Sequence, residues 1–184
     1  MEYMNNTLQE FDTTISLCKD VFVKKMHDYG TAWRILRLPS ITDQIYIKAQ
    51  RIRSIEEKKT SKVGEDVNTE FVGIINYAVM AQIQLAATPK SMEDCSMLPD
   101  EVVLLYDKYV GRAKDLLENK NHDYDEAWRN MRVSSITDII LMKILRIKQI
   151  EDNLQKTLIS EGLDANYYDI FNYAVFALIK LTQK

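Results

Sequence analysis

The chain carries nearly the same run of residues twice. KMHDYGTAWRILRLPSITDQIYIKAQRIRSIEE begins at Lys25, and KNHDYDEAWRNMRVSSITDIILMKILRIKQIED begins at Lys120. Equivalent residues stand 95 apart, as Trp33 and Trp128 do. Farther on, INYAVMAQIQL matches FNYAVFALIKL at a spacing of 96, so one residue has been inserted in the second copy. A chain built this way is expected to fold as two versions of one unit. The copies are taken as residues 1–87 and 99–184, joined by a linker over 88–98 that Pro89 and Pro99 bound.

Each copy reads as three helices. Five Gly and three Pro in 184 residues leave long stretches without helix breakers. The first helix is expected over Thr7 to Tyr29 and over Pro99 to Tyr124. The second starts at Ser40 and at Ser135, where S-I-T-D offers a hydroxyl as N-cap and a carboxylate three residues on. Ile41, Ile45, Ile52 and Ile55 then form one apolar stripe at helical period. The third helix is expected over Asn68 to Ala87 and over Ala165 to Thr182, behind polar loops that hold Glu65 and Glu161. Its interior, IINYAVMA or IFNYAVFA, is apolar on nearly every side. One unit cannot cover such a helix, but two units docked face to face can. The fold class that follows is all-α: a tandem duplication of a three-helix unit, packed as one bundle with pseudo-two-fold symmetry and the third helices near its middle.

Composition removes several function classes. The formal charge of -3 is not that of a nonspecific nucleic-acid binder. No run of 18 apolar residues occurs, and the first residues carry no apolar signal core, so a cytoplasmic protein is expected. Cys18 and Cys95 stand at non-equivalent places and form no C-x-x-C. No G-x-x-x-x-G-K or G-x-G-x-x-G is present, and no serine has the setting of a triad nucleophile. Two histidines are too few for the HD-type metal phosphohydrolases.

Three constellations could carry chemistry. H-D-Y-x-x-A-W-R-x-x-R supplies Trp33, Arg34 and Arg37, and again Trp128, Arg129 and Arg132, after His27-Asp28-Tyr29 and His122-Asp123-Tyr124. As a ligand site, the aromatics would stack on a base and the arginines would hold phosphates. As a structural corner, they would fill a wedge between helices and satisfy loop groups. K-x-x-R on the second helix supplies Lys48 and Arg51, and Lys143 and Arg146. These serve either as a phosphate clamp or in salt bridges to Asp28, Asp43 or Glu56. The carboxylates Glu56, Glu70, Glu151 and Asp169 could hold Mg²⁺, with Glu56, Glu151 and Asp169 as the catalytic set. Gly73 stands opposite Asp169 and Glu70 opposite Asn166, so an E-x-x-D pair is split between the copies. Asn76 and Asn172, inside the apolar run, need partners; they either tie the copies together across the axis, the preferred reading, or orient a ligand.

The ordered set K-x-H-D-Y-G-x-A-W, K-x-x-R and D-x-x-N-Y-A resembles the nucleotide-modification-associated domain family, first type, once per copy. That resemblance implies a role with nucleotides or modified nucleotides. A looser similarity is to the all-helical, Mg²⁺-dependent nucleoside triphosphate pyrophosphohydrolases of the MazG and dimeric dUTPase type. The chain departs from their E-E-x-x-E pattern, because Thr60 follows Glu56-Glu57. Two functions are therefore carried forward. One is a (deoxy)nucleoside triphosphate pyrophosphohydrolase using Mg²⁺. The other is a non-catalytic module that binds a nucleotide or a protein. Either would act as a monomer or homodimer. The differences at Gly30/Asp125 and Gly73/Asp169 argue against two equal sites, and for one better site in the second copy or a composite site across the axis.

Overall fold

The computed structural model of the chain describes residues 2–60, 66–89, 91, 93–153 and 162–182. Glu65 and Glu161 lie outside the described residues. The first copy comprises α1 (Glu2–Tyr29), α2 (Leu38–Lys58) and α3 (Val67–Ala86). The second comprises α4 (Pro99–Tyr124), α5 (Val133–Asp152) and α6 (Leu163–Thr182). One turn of 3₁₀ helix follows the first helix of each copy, over Ala32–Ile35 and Ala127–Asn130, and a third turn, Glu93–Cys95, lies in the linker. Among the described residues there is no strand, and no helix is long and apolar enough to cross a membrane.

The all-α duplicated bundle is as the sequence implies. α3 and α6 lie against each other in the centre, α2 and α5 pack on them, and α1 and α4 complete the body. On α3, Phe71, Ile74, Ile75, Ala81 and Ile83 have no solvent exposure, although they point in different directions around the helix. The phenylalanine and the isoleucines stabilise by about 1.5–3 kcal/mol each when buried. Of the isoleucine stripe on α2, Ile41, Ile45 and Ile52 are fully buried and Ile55 is half-buried.

The helix starts correct one expectation. Ser40 and Ser135 are not N-caps. α2 begins at Leu38, with Arg37 at the N-cap in extended conformation and Pro39 in the first turn, where a missing N–H costs nothing. α5 begins at the equivalent Val133. S-I-T-D is therefore already inside the helix, and its threonine and aspartate face the other copy. Thr42 donates to Glu151 Oε1 at 2.8 Å, and Thr137 donates to Glu56 Oε1 at 3.2 Å. Beside them Lys148 bridges Asp43 at 2.5 Å, and Arg53 approaches Asp138 to 3.7 Å. Each pair is the other's mate under exchange of the copies. The start of each second helix thus meets the end of the other, so α2 and α5 run antiparallel across the pseudo-two-fold axis. Lys19–Asp107 and Lys114–Asp12, both 2.6 Å, tie α1 to α4 in the same symmetric manner.

The symmetry fails at one buried hydrogen bond. Asn76 Nδ2 donates to the Cys18 carbonyl at 3.0 Å, and Asn172 Nδ2 donates to the mate carbonyl of Ala113 at 3.1 Å. Asn76 Oδ1 also accepts the Tyr106 hydroxyl at 2.9 Å, across the copies. The mate of Tyr106 is Phe11, which has no hydroxyl, and Asn172 Oδ1 is buried without a partner. Only one of the two asparagines ties the copies together.

The unpaired acceptor predicts that Phe11→Tyr raises the Tm by about 2–4 °C, the equivalent of about 1 kcal/mol in a chain of this size. Tyr106→Phe, which strips Asn76 of its partner, lowers it by at least as much. Thermal denaturation of both variants measures this, and a Phe11→Tyr protein less stable than the parent would refute it.

The axis ladder carries a pH signature. Burial pushes the Glu56 and Glu151 carboxyls above the usual carboxylate range, although the threonine hydrogen bonds pull the other way. A carboxyl raised in the folded state favours folding when it is protonated. Its contribution is complete below about pH 4.3, the unfolded value, and is lost as pH rises through the folded one. Glu56→Gln with Glu151→Gln keeps an acceptor for each threonine and removes this loss. The double variant is expected to melt above the parent at pH 7, with the gap closing towards pH 4; a gap independent of pH would count against this.

Candidate functional site

The K-x-x-R motif points its cations at the third helix. Lys48 Nζ lies 3.2 Å from Glu70 Oε2, and the Arg51 guanidinium pairs with Glu70 Oε1. Glu70 is only 3% exposed, so a buried acid is neutralised by two cations from α2. One turn along α3 stands Gly73. A Cβ there would lie 2.6 Å from Lys48 Cε, so the lysine as placed lies along a groove that the glycine leaves open. In the second copy the acid has moved by one turn. Asp169, the mate of Gly73, takes Lys143 at 2.6 Å and Lys120 at 2.5 Å, while Asn166 stands where Glu70 would be. The expected partners of Lys48 on Asp28, Asp43 and Glu56 are thereby replaced by Glu70.

The four carboxylates read as a metal set are held apart in their contacts. Glu56 and Glu151 take threonines at the axis, and Glu70 and Asp169 sit in separate ion clusters. Among the described residues, no three of His, Cys, Asp and Glu come together as a metal-binding group.

The H-D-Y-A-W-R block is divided in the same way. His27 and His122 face solvent, each with Nδ1 near its neighbouring Asp28 or Asp123 at 3.4 and 3.3 Å. Tyr29 and Tyr124 are 74% and 70% exposed. The next turn goes inward. Arg34 is buried, with Nη1 donating to Gln84 Oε1 and Nη2 to the Ala87 carbonyl, both at 2.5 Å. Gln84 Nε2 returns bonds to the carbonyls of Arg34 and Leu36, so the corner fastens the end of α3. Trp33 is half-buried against the core. Trp128 is buried and stacks on Phe176, with centroids 4.3 Å apart and rings 6° from parallel. Arg129 lies over the Trp128 ring and bonds Glu126, Glu10 and Thr7. Arg37 and Arg132 are exposed N-caps of α2 and α5. Arg146 is 3.4 Å from Gln149 Oε1. Much of this block is therefore occupied in holding a corner.

Among the described residues, two clefts between the helices stand out. The larger, about 580 Å³, is in the first copy between α1, α2 and α3. Lys25, Lys48 and Glu70 line it, with Gly73 in its wall and Phe22 and Tyr77 among its apolar surfaces. Leu178 and Thr182 of α6 also line it, so the second copy contributes a wall. Its size suits a small-molecule site. The other cleft is about 270 Å³, lies between α4 and α6, and is bounded by Lys120, Trp128, Asp169 and Phe176. The more spacious cleft is thus in the first copy, with part of its wall from the second.

Lys25 and its mate Lys120 were not among the candidate residues. The signal is their repetition, since this lysine opens the repeated block in both copies, next to the His and Asp that carry a more obvious chemistry.

A family model described as nucleotide modification associated domain 1 matches residues 25–85 and again 120–181. No curated protein and no solved structure matches the chain.

The corner makes a prediction that separates structure from binding. Arg34→Ala leaves Gln84 Oε1 and the Ala87 carbonyl without this donor and is expected to cost about 2–3 kcal/mol. Arg34→Lys is not expected to restore it, because one ammonium cannot replace the planar fork. Chemical denaturation checks both, and a neutral Arg34→Ala would show that the corner does not depend on this side chain.

Proposed function

The chain belongs to the nucleotide modification associated domain 1 family, which it matches twice, and from that premise we propose that it binds a nucleotide-derived anion in the first-copy cleft. The observation that carries this is the meeting of two lysines from different helices with a large apolar wall. Lys25 from α1 and Lys48 from α2 take the phosphate as point charges. Phe22, Tyr77 and Met80 give a flat base its apolar surface. Two lysines against one lining acid leave the cleft net positive by one charge. That balance suits a ligand with few phosphate charges better than an unescorted triphosphate.

Of the two functions carried forward, binding without turnover is the better supported. Glu70 and Asp169 are already neutralised by lysine and arginine, and Glu56 and Glu151 accept hydrogen bonds from threonine hydroxyls at the axis. For pyrophosphate hydrolysis, Glu70 or Asp169 would have to exchange those cations for Mg²⁺. The carboxylates would then orient a water, while Lys48, Arg51, Lys143 and Arg146 balanced phosphate charge.

The test is calorimetric titration with nucleoside mono- and triphosphates, each with and without Mg²⁺, together with a pyrophosphate-release assay. Lys25 is exposed on α1, so Lys25→Gln leaves the fold intact; it is expected to weaken binding about tenfold, a difference of about 1.4 kcal/mol. Pyrophosphate release with Mg²⁺ would favour the enzyme over the binding module. No heat and no thermal stabilisation with any nucleotide would end the reading.

A further inference from the structure

The two clefts differ in a pattern that follows the sequence. In the first copy the cleft runs past Thr14, Leu17, Val72 and Gly73. Their mates in the second copy are Tyr109, Arg112, Tyr168 and Asp169. Every one of the four is larger than the residue it replaces, and none carries less polar surface.

Tyr109, Tyr168 and Asp169 are buried, and the exposed Arg112 lies over the tyrosines from outside. Tyr109 is 5% exposed and Tyr168 9%, so both rings are packed inside. The Arg112 guanidinium lies over the Tyr109 ring, 5.6 Å from its centroid, and Lys108 covers the same ring at 5.6 Å. Burial raises the Tyr168 hydroxyl above the ordinary phenol range, and the charge of Arg112 pulls against it. Asp169 occupies the wall that Gly73 leaves clear, and both its oxygens are held by lysines. The smaller cleft accordingly begins only at Leu117 and Lys120 on α4 and takes no lining from α5. The mates of Thr14, Leu17 and Val72 do not line it.

We infer that Tyr109, Arg112, Tyr168 and Asp169 plug the second copy, and that the chain holds one ligand, in the first-copy cleft. The second copy serves as the structural half of a composite site, lending Leu178 and Thr182 to the wall. The ligand class is an apolar, ring-bearing anion: Lys25 and Lys48 set the charge, and Phe22, Tyr77 and Met80 set the apolar wall. This rests on the cleft of the proposed function being a ligand site, but not on the ligand being a nucleotide.

The probe for the test is therefore 8-anilinonaphthalene-1-sulfonate, an aromatic monoanion, titrated by fluorescence and calorimetry into the full chain. One saturable site per chain is expected. Val72→Tyr with Gly73→Asp copies part of the plug into the first cleft and is expected to abolish binding. The second copy already accommodates these residues, with Lys143 on the acid, so Lys48 has a ready arrangement to adopt. Should that variant not fold, judged by circular dichroism, Thr14→Tyr with Leu17→Arg tests the same point from α1 alone. Conversely, Tyr109→Thr, Arg112→Leu, Tyr168→Val and Asp169→Gly together should give a second site. Two sites in the parent, no saturable binding, or full binding by either plugged variant would overturn the inference. One site for the probe with no nucleotide bound would overturn only the nucleotide reading.

Discussion

A helix that is apolar on nearly every side has to be surrounded. α3 and α6 are such helices, and the rest of the molecule is arranged to enclose them. Within one copy, α2 can cover one face of α3, and α1 part of another. The remaining face stays in water unless a second, similar surface meets it, and α6 is that surface. From this contact the pseudo-two-fold axis follows. So does the antiparallel pairing of α2 with α5, and with it the position of Thr42, Asp43, Thr137 and Asp138 opposite the far helix ends.

Joining the copies in one chain frees them from identity. In a symmetric dimer, a hydroxyl gained at one asparagine would appear at both. Here Tyr106 serves Asn76 while Phe11 leaves Asn172 Oδ1 unpaired. The turn after the first helix behaves likewise. It needs a left-handed residue, met by Gly30 at φ 59° in one copy and by Asp125 at φ 49° in the other. In the second copy Glu126 is left-handed as well, at φ 53°, where its mate Thr31 has φ -100°, so the two turns differ in backbone as well as in sequence.

What could be read from the sequence was whatever depends on period and repetition. The helices, their order and the central place of the third pair all follow from apolar spacing, which is a local property of the chain. The start of α2 did not follow, because S-I-T-D satisfies a capping pattern equally well when its threonine and aspartate serve the axis instead. The family was legible in the ordered residues K-x-H-D-Y, K-x-x-R and N-Y. The candidate site was less so. Trp33, Arg34, Trp128 and Arg129 recur in both copies, and recurrence alone does not separate a ligand contact from a corner that each copy needs for folding. Arg34 answers to Gln84 and Ala87, fifty residues on and more, and no spacing rule reaches that far.

The two ion clusters show how one cleft could stay open. A lysine on the core-facing edge of α2 or α5 needs one acid nearby, since an unpaired charge there is costly. It does not need the acid at one fixed place. Residues three apart on the third helix share a face, so Glu70 and the position of Gly73 are both within reach of the lysine. Placing the acid at Glu70 lets glycine occupy the next turn, and Lys48 lies in the groove so formed. Placing it at Asp169 satisfies Lys143 equally well but sets a carboxylate in that groove. The electrostatic requirement is the same in both copies and is met in both. What differs is which turn of the helix remains clear, and that choice separates a wide cleft from a smaller one.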